Sequence, residues 1–195
     1  MADDIRSADW YARDLSGERY DKVTFIDVDL TEARGTNAVF ADCTFRDVRF
    51  NAAKFADTAF TNCTFTGCSF FDTELTGCKL VGSKLDRCSF NITKVSGGDW
   101  SFVSLAAADL RTASFTGVRM READLTKVRL EGASFRDVDL SGAWLHSASF
   151  KGCDLRGSEL STVDPTDVEL ADAIVTIDQA VVIAVNLGLD VRGDS

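Results

Sequence analysis

The chain has 195 residues, and its 31 acidic side chains outnumber its 21 basic ones to give a formal net charge of -10. This balance argues against direct binding of nucleic acid, because neutralising phosphates requires an excess of lysine and arginine. The length suits one domain, and a hydrophobic content of 45% is enough for a buried core, so the composition excludes a disordered chain. Fourteen phenylalanines and six cysteines beside a single histidine are unusual counts that need an explanation.

The N-terminal residues 1–6 are acidic and no apolar run follows them, so we expect no secretory signal. No stretch approaches the roughly 18 apolar residues of a membrane-spanning helix. We therefore expect a cytoplasmic protein with no membrane partner. In that reducing compartment the six cysteines should be free thiols or metal ligands rather than disulfides.

A period of five residues runs from Leu15 to Leu160. Of the 30 positions at this spacing, 13 are Leu and 12 are Phe. Two positions before each large residue, from Val23 to Ser158, every residue is Ala, Val, Cys, Thr, Ser or Gly. Two positions after it, Gly, Asp and Asn are frequent, and these residues tolerate the positive φ of a tight bend. Each pentad is thus predicted to be a short extended piece followed by a corner, so the chain must wind.

The pentads at residues 38–42, 108–112 and 123–127 read Ala-Val-Phe-Ala-Asp, Ala-Asp-Leu-Arg-Thr and Ala-Asp-Leu-Thr-Lys. They resemble the A(D/N)LXX unit of pentapeptide-repeat proteins, and the resemblance covers roughly residues 8–175. It implies an all-β solenoid, a right-handed quadrilateral β-helix with four pentads per coil, in which residues 20 apart stack. Residues 1–175 would then form one domain, in which the 160 residues from Leu15 to Val175 make eight coils, on the order of 38 Å long at about 4.8 Å per coil. We expect any bulge of a coil at Gly35 or at the pair Gly97 and Gly98.

All six cysteines occupy the small inward position of a pentad. The spacing of Cys63 and Cys68 suggests metal ligands, and residues 20 apart, such as Cys43 and Cys63, would stack at a separation that permits a disulfide. The position alternates freely among Ala, Val, Thr and Cys, so we favour packing as a small hydrophobe. The six residues are Cys43, Cys63, Cys68, Cys78, Cys88 and Cys153.

Residues with catalytic potential have no companions in this sequence. His146 is the only histidine, and acids such as Asp109 and Asp124 recur as the ordinary polar residue before a core Leu. A β-helix can host paired acids for sugar cleavage, but a phosphate-binding loop, a serine elbow and clustered metal ligands are all missing from the pattern. We therefore predict no catalytic residue, no cofactor and no metal site, and do not expect an enzyme.

The pattern changes after Pro165, and residues 177–187 are predicted to form a helix. Thr176 and Gln179 fit a capping box and Gly188 fits the end of the helix. The simplest interpretation of residues 176–195 is a cap over the last coil. We favour a cap that also forms a two-fold homodimer, because the helix has more apolar surface than a coil end can cover. The predicted dimer interface consists of Ile177, Val181, Ala184 and Val185.

Residues 162–165 and 176–181 resemble the C-terminal segment of the mycobacterial fluoroquinolone-resistance members of the family, and the absence of inserted loops separates the chain from the Qnr members. This resemblance implies an elongated dimer, joined at its C-terminal ends, that mimics duplex DNA in size and surface charge. Such proteins bind DNA gyrase in place of a DNA segment and relieve quinolone inhibition, with the ATPase-bearing subunit as an implied contact. The alternative is a pentapeptide-repeat scaffold whose acidic surface binds a different partner, since a fold alone does not specify function.

Charge is unevenly distributed along the chain. Residues 1–42 hold ten acids and five bases, residues 43–153 hold 12 and 14, and residues 154–195 hold nine and two. The net charges are therefore -5, +2 and -7. Duplex DNA carries about one charge per 1.7 Å, or roughly 22 over 38 Å, so the mimicry by one protomer of charge -10 is partial. We predict that the partner binds an acidic waist at the dimer centre, formed by Asp154, Glu159, Asp164, Asp167, Glu169 and Asp172.

Overall fold

The computed structural model of the protein describes residues 4–193. Short strands, all paired in parallel, alternate with tight corners, and one helix follows them. The elements are β1 (Asp4–Arg6), β2 (Arg19–Asp21), β3 (Thr24–Ile26), β4 (Arg34–Thr36), β5 (Val39–Ala41), β6 (Thr44–Arg46), β7 (Lys54–Ala56), β8 (Ala59–Thr61), β9 (Thr64–Thr66), β10 (Glu74–Thr76), β11 (Lys84–Asp86), β12 (Lys94–Ser96), β13 (Ser114–Thr116), β14 (Ser134–Arg136) and α1 (Ile177–Asn186).

Each strand pairs with a strand 20 residues away, so the chain winds around four faces. The first face carries the sheet β1-β3-β6-β9-β11, the third carries β4-β7-β10-β12-β13-β14, and the fourth carries β2-β5-β8. Single parallel bridges link the pentads of the second face, starting with Asp9 and Asp29. The predicted all-parallel β-solenoid, with residues 20 apart in a stack, is therefore confirmed.

The longest ladder lies on the third face, where pairing rises from Asp14 to Ile174 in eight steps of 20 residues. The winding begins earlier than Leu15, because Ile5 of β1 pairs with Phe25 and Trp10 packs against the core. A count of Leu and Phe misses these two pentads, since Ile and Trp occupy their central positions.

The core is a set of side-chain stacks running along the solenoid axis. Phe45 stacks between Phe25 and Phe65, with ring centroids 4.8 and 4.7 Å away, and all three rings are fully buried. Twelve of the 14 phenylalanines occupy these central positions, and the small residue two positions earlier fills the space between neighbouring stacks. The explanation of the unusual phenylalanine count is therefore the repeat itself.

The glycines at which we expect a bulge do not interrupt the winding. Gly35 lies inside β4 and pairs with Phe55, whose ring fills the place of a side chain: a Cβ atom on Gly35 would lie 2.8 Å from Phe55 Cδ1. Gly98 has a φ of +91°, and a Cβ atom there would lie 2.1 Å from the carbonyl oxygen of Cys78. At both places the pairing between coils continues, and Gly35 and Gly98 make room for the neighbouring coil.

The helix α1 begins and ends almost where the sequence predicts. Thr176 Oγ1 accepts a hydrogen bond from the Gln179 backbone N–H, and Gln179 Oε1 accepts one from the Thr176 backbone N–H at 2.8 Å, so the capping box is confirmed. The helix ends at Asn186, one residue before the predicted end, and Gly188 follows with a φ of +85°. Across residues 4–193 no helix has the length and apolar character needed to span a bilayer.

Candidate partner-binding surface

The acidic waist encircles the last turn of the solenoid instead of forming a patch on one side. Bridges from Ser149 to Glu169 and from Ser134 to Asp154 put these acids on the second and third faces. Glu159 continues the fourth face, because its backbone N–H bonds to Val138 in the spacing that the coils below repeat. The remaining three acids, Asp164, Asp167 and Asp172, belong to the two pentads between Glu159 and Ile174.

Two members of the acidic waist have basic partners. Asp154 accepts a hydrogen bond from Arg156 at 2.7 Å and also lies 3.9 Å from Arg136. The hydrogen bond from Arg156, together with the charges of both guanidinium groups, lowers the pKa of Asp154 to about 2. Asp167 Oδ1 lies 2.7 Å from His146 Nδ1. Asp154 therefore contributes less free negative charge than the sequence suggests.

The other four acids of the waist form no ion pair within residues 4–193. A hydrogen bond from the Ser161 side chain lowers the pKa of Glu159, and one from Thr166 lowers that of Asp164, so both stay ionised at neutral pH. The unpaired acids are Glu159, Asp164, Glu169 and Asp172.

In residues 43–153, which we call the shaft, more of the acids have basic partners than in the waist. On the second, third and fourth faces several acids lie 20 residues from a base, so that neighbouring coils neutralise each other there. Arg119 lies 2.9 Å from Asp99, and Lys54 lies 3.2 Å from Glu74. Part of the near-neutral charge of the shaft is thus balanced by ion pairs between neighbouring coils.

The open end of the coil is closed by two amide side chains. Gln179 Nε2 donates hydrogen bonds of 2.8 Å to the carbonyl oxygens of Leu155 and Ser158. Asn186 Nδ2 lies within hydrogen-bond distance of three further carbonyl oxygens, the nearest being that of Val163 at 2.9 Å. The sequence assigned Gln179 only to the capping box. The second role was missed, because the sequence does not show which carbonyl groups of the last coil are left without a further strand as partner.

Most of the apolar surface of α1 remains uncovered. Ile177 is 85% exposed, Val181 and Val185 are also exposed, and Ala184 is half-buried, whereas Ile183 packs against the core. The spacing of the four predicted interface residues puts them on one side of the helix. Sequence reasoning did not include four further exposed apolar residues of this end: Ile174, Leu187, Leu189 and Val191.

The cysteines are free thiols within the core or at its margin. The Sγ of Cys63 lies 3.4 Å from the backbone carbonyl oxygen of Phe40, and burial raises the pKa of Cys78 to about 11. The Cys78 thiol should therefore react slowly, since the thiolate is the nucleophile. Among residues 4–193 no group of three or more His, Cys, Asp and Glu side chains is arranged to hold a metal ion.

Comparisons with known proteins agree with the geometry. The family described as pentapeptide repeat region matches residues 4–77 and 68–145, and the family described as pentapeptide repeats (8 copies) matches residues 133–164. No protein in a curated collection matches the chain in sequence.

The solved structures similar to this chain include QnrB1, a plasmid-mediated fluoroquinolone resistance protein. A trypsin-treated form of QnrB1 aligns with a TM-score of 0.76 at 20% identity, covering 98% of this chain and 99% of that one. The full-length form aligns with a TM-score of 0.58 at 21% identity, covering 97% and 99%. HetL, a pentapeptide repeat protein involved in heterocyst differentiation regulation in the cyanobacterium Nostoc, aligns with a TM-score of 0.51 at 21% identity, covering 88% and 84%. At these identities the likeness is one of fold.

Proposed function

The chain belongs to the pentapeptide-repeat family, and from that premise we propose that it binds DNA gyrase in place of a DNA segment, modulates the enzyme and protects it from fluoroquinolones. The fold similarity to a fluoroquinolone resistance protein supports this proposal. The acidic waist carries it, because a protein that grips DNA with basic residues attracts a surface of this charge. The location that follows is the cytoplasm, where gyrase acts, with no cofactor and no catalytic step.

The charge of the waist supports mimicry of DNA over a short length. Residues 154–173 make one turn and hold six acids against one base, Arg156, which leaves a net charge of -5. One turn rises by about 4.8 Å, and duplex DNA carries roughly three charges over that distance. The last turn therefore reaches the linear charge density of DNA, although the chain as a whole does not.

We further propose that two copies join through α1 at their C-terminal ends. The exposed apolar side chains Ile177, Val181 and Val185, with Ala184 between them, would be buried by a second copy in a two-fold contact. Such a dimer puts the two waists next to each other at its centre, with one shaft extending on each side. The partner would then meet an acidic centre flanked by neutral arms.

The experiment that separates this function from its alternative is DNA supercoiling by purified gyrase, with and without a quinolone, in the presence of the protein. We expect the protein to change the supercoiling rate and to restore activity that the quinolone inhibits. A protein without effect in both conditions would favour the alternative, a pentapeptide-repeat scaffold whose acidic surface binds a partner other than gyrase. Pull-down with each gyrase subunit would show whether the ATPase-bearing subunit makes the contact.

The acidic waist is tested by reversing Asp164, Asp167 and Glu169 to lysine together. Gyrase binding should weaken and lose much of its salt dependence, because the attraction is electrostatic and screened by ions. A matched control reverses three exposed acids near the other end of the rod, namely Asp21, Glu32 and Asp42. Equal losses in the two triple variants would show that net charge determines binding and that the waist is not the binding surface.

The dimer is tested by Val181→Asp, which places a charge in the proposed apolar contact. We expect sedimentation to report a monomer for this variant and a dimer for the unaltered protein. Phe71→Asp is the control, since Phe71 is an exposed apolar residue on the shaft, 49% exposed and far from α1. A Val181→Asp variant that still sediments as a dimer would refute this interface.

A further inference from the structure

Two aromatic side chains lie outside the solenoid on the edge between the fourth and first faces. Trp144 is 68% exposed and Phe102 is 55% exposed. Between them stand Glu122 and Asp124, and the four side chains line an open groove of about 280 Å³. The groove combines two aromatic walls with two carboxylates.

Packing of the core does not account for either aromatic ring. Phe102 is one of the two phenylalanines outside the five-residue register, and it occupies a corner with a φ of +59°. Glycine, asparagine and aspartate adopt this conformation more readily than phenylalanine. Trp144 occupies the outward position before Leu145 and likewise makes no contribution to the buried core.

Both carboxylates of the groove are also left without a basic partner among the described residues. Neither Glu122 nor Asp124 forms an ion pair within residues 4–193, whereas the neighbouring Arg121 pairs with Asp139 at 2.5 Å. Asp124 is held in place by hydrogen bonds from the Thr126 backbone N–H at 3.1 Å and from Ser104 Oγ at 3.3 Å. The groove therefore offers fixed negative charge beside exposed aromatic faces.

We propose that this groove binds an arginine side chain presented by a basic surface segment of a protein partner. A guanidinium group is planar, so it can stack on an aromatic ring while donating paired hydrogen bonds to a carboxylate. A lysine ammonium can use the charge but lacks the planar fork, and the phosphates of a nucleic acid would be repelled by both acids. The chemistry of this ligand follows from the groove alone, whether or not the partner is gyrase.

The fluorescence of Trp144 provides a direct measurement of binding. Trp100 is only 1% exposed and Trp10 is partly buried against the core, so a soluble ligand reaches Trp144 most easily. The probe is an acetylated, amidated Gly-Arg-Arg-Gly peptide, compared with the same peptide carrying lysine or the uncharged analogue citrulline. We expect saturable quenching by the arginine peptide, binding about threefold to tenfold weaker for lysine, and none for citrulline.

The substitution Phe102→Gly removes one wall of the groove and suits the positive φ of that corner, so the thermal midpoint should stay constant or rise. Binding of the arginine peptide should weaken severalfold. The matched control is Ile92→Gly, because Ile92 is another exposed apolar residue at a corner, with a φ of +51°, and lies outside the groove. Its peptide affinity should equal that of the unaltered protein.

The carboxylates are tested by the double substitution of Glu122→Gln and Asp124→Asn, which preserves shape and should abolish the preference for arginine over citrulline. Equal affinity of Phe102→Gly and Ile92→Gly, or equal quenching by the arginine and citrulline peptides, would overturn the proposal. A protein that fails to affect gyrase would refute the proposed function and leave this binding measurement unchanged. The two failures are therefore distinguishable.

Discussion

The shaft and the C-terminal end, residues 154–193, follow one another in a single winding but expose different chemistry. In the shaft, large apolar side chains at the central positions point inward, and acids face bases on neighbouring coils, as Arg119 faces Asp99. At the C-terminal end, four acids of the waist have no basic partner within residues 4–193, and the helix exposes Ile177, Val181 and Val185. The end therefore has unbalanced charge next to uncovered apolar surface.

This difference is the reason why the proposed partner contact is placed at the C-terminal end. A repeat that neutralises its own charges and buries its own apolar side chains gains little from a partner, because few groups remain to be paired or covered. One place in the shaft combines both kinds of departure, since Phe102 and Trp144 are exposed beside two unpaired acids, Glu122 and Asp124. Departures from the repeat thus identify candidate binding residues more reliably than the repeat itself does.

The largest effect is expected in the shaft, from Phe45→Ala. Phe45 stacks on Phe25 and Phe65 and meets Phe40 and Phe50 edge-on, with ring centroids 5.6 Å away. Truncation should cost about 4 kcal/mol of unfolding free energy, since it leaves a cavity and removes several aromatic pairs. The measurement is chemical denaturation at matched protein concentration.

Leu125→Ala is the control, on the same face but in the part of the shaft where leucine dominates. Leu125 is fully buried, and its neighbours 20 residues away are Leu105 and Leu145. We expect a smaller loss of about 3 kcal/mol, because no aromatic pair is lost. A loss at Leu125 equal to that at Phe45 would show that ring stacking adds nothing to burial.

At the C-terminal end a smaller and local effect is expected from Gln179→Met. The substitution keeps the length of the side chain but leaves the carbonyl oxygens of Leu155 and Ser158 without their donor, at a cost of about 1–3 kcal/mol. Hydrogen exchange should accelerate at residues 155–163 while the shaft stays protected. Uniform acceleration along the chain would mean that the amide acts on the whole rod and not on its end.

Thr176→Ala separates the two roles of Gln179. It removes the oxygen that accepts from the Gln179 backbone N–H, and leaves the Gln179 amide free to bond the last coil. We expect a loss of about 1 kcal/mol, as for other helix caps, with protection of residues 155–163 largely retained.

The winding could be predicted from the sequence because every pentad repeats the same constraint. Phe45, Phe65 and their equivalents differ only in their position along the axis, so one rule of inward and outward residues describes them all. The start of the winding was harder to locate, since Ile5 and Trp10 satisfy the rule with different residue types. The positions of the apolar residues of α1 were also predictable from their helical spacing.

The pairing of individual side chains could not be predicted in the same way. In the sequence, Asp154 looks like the other acids of the waist. In the structure, Arg136 of the coil below lies near it, at a spacing of 18 residues that the repeat does not prescribe. The second role of Gln179 depends on where the coil stops. The groove does leave a signal in the sequence, since Phe102 is a phenylalanine outside the register, but its neighbours become evident only after the coils are stacked.

The smallest effect is expected from Asp154→Asn, which changes a paired acid of the waist. It is compared with Asp172→Asn, which changes an unpaired one. The hydrogen bond from Arg156 is the main cause that lowers the pKa of Asp154 to about 2, below the ordinary value of about 3.9. A lowered pKa in the folded state stabilises the protein fully above the ordinary pKa, and this stabilisation is lost as the pH falls through about 2. Asp154→Asn should therefore lower the thermal midpoint slightly at pH 7, by less than about 1 kcal/mol of unfolding free energy, and the difference should vanish towards pH 2. Asp172→Asn should leave the midpoint unchanged at both pH values, because Asp172 forms no ion pair within residues 4–193. If Asp172→Asn destabilised the protein as much as Asp154→Asn does, the distinction between paired acids that stabilise the fold and unpaired acids that remain free for a partner would fail.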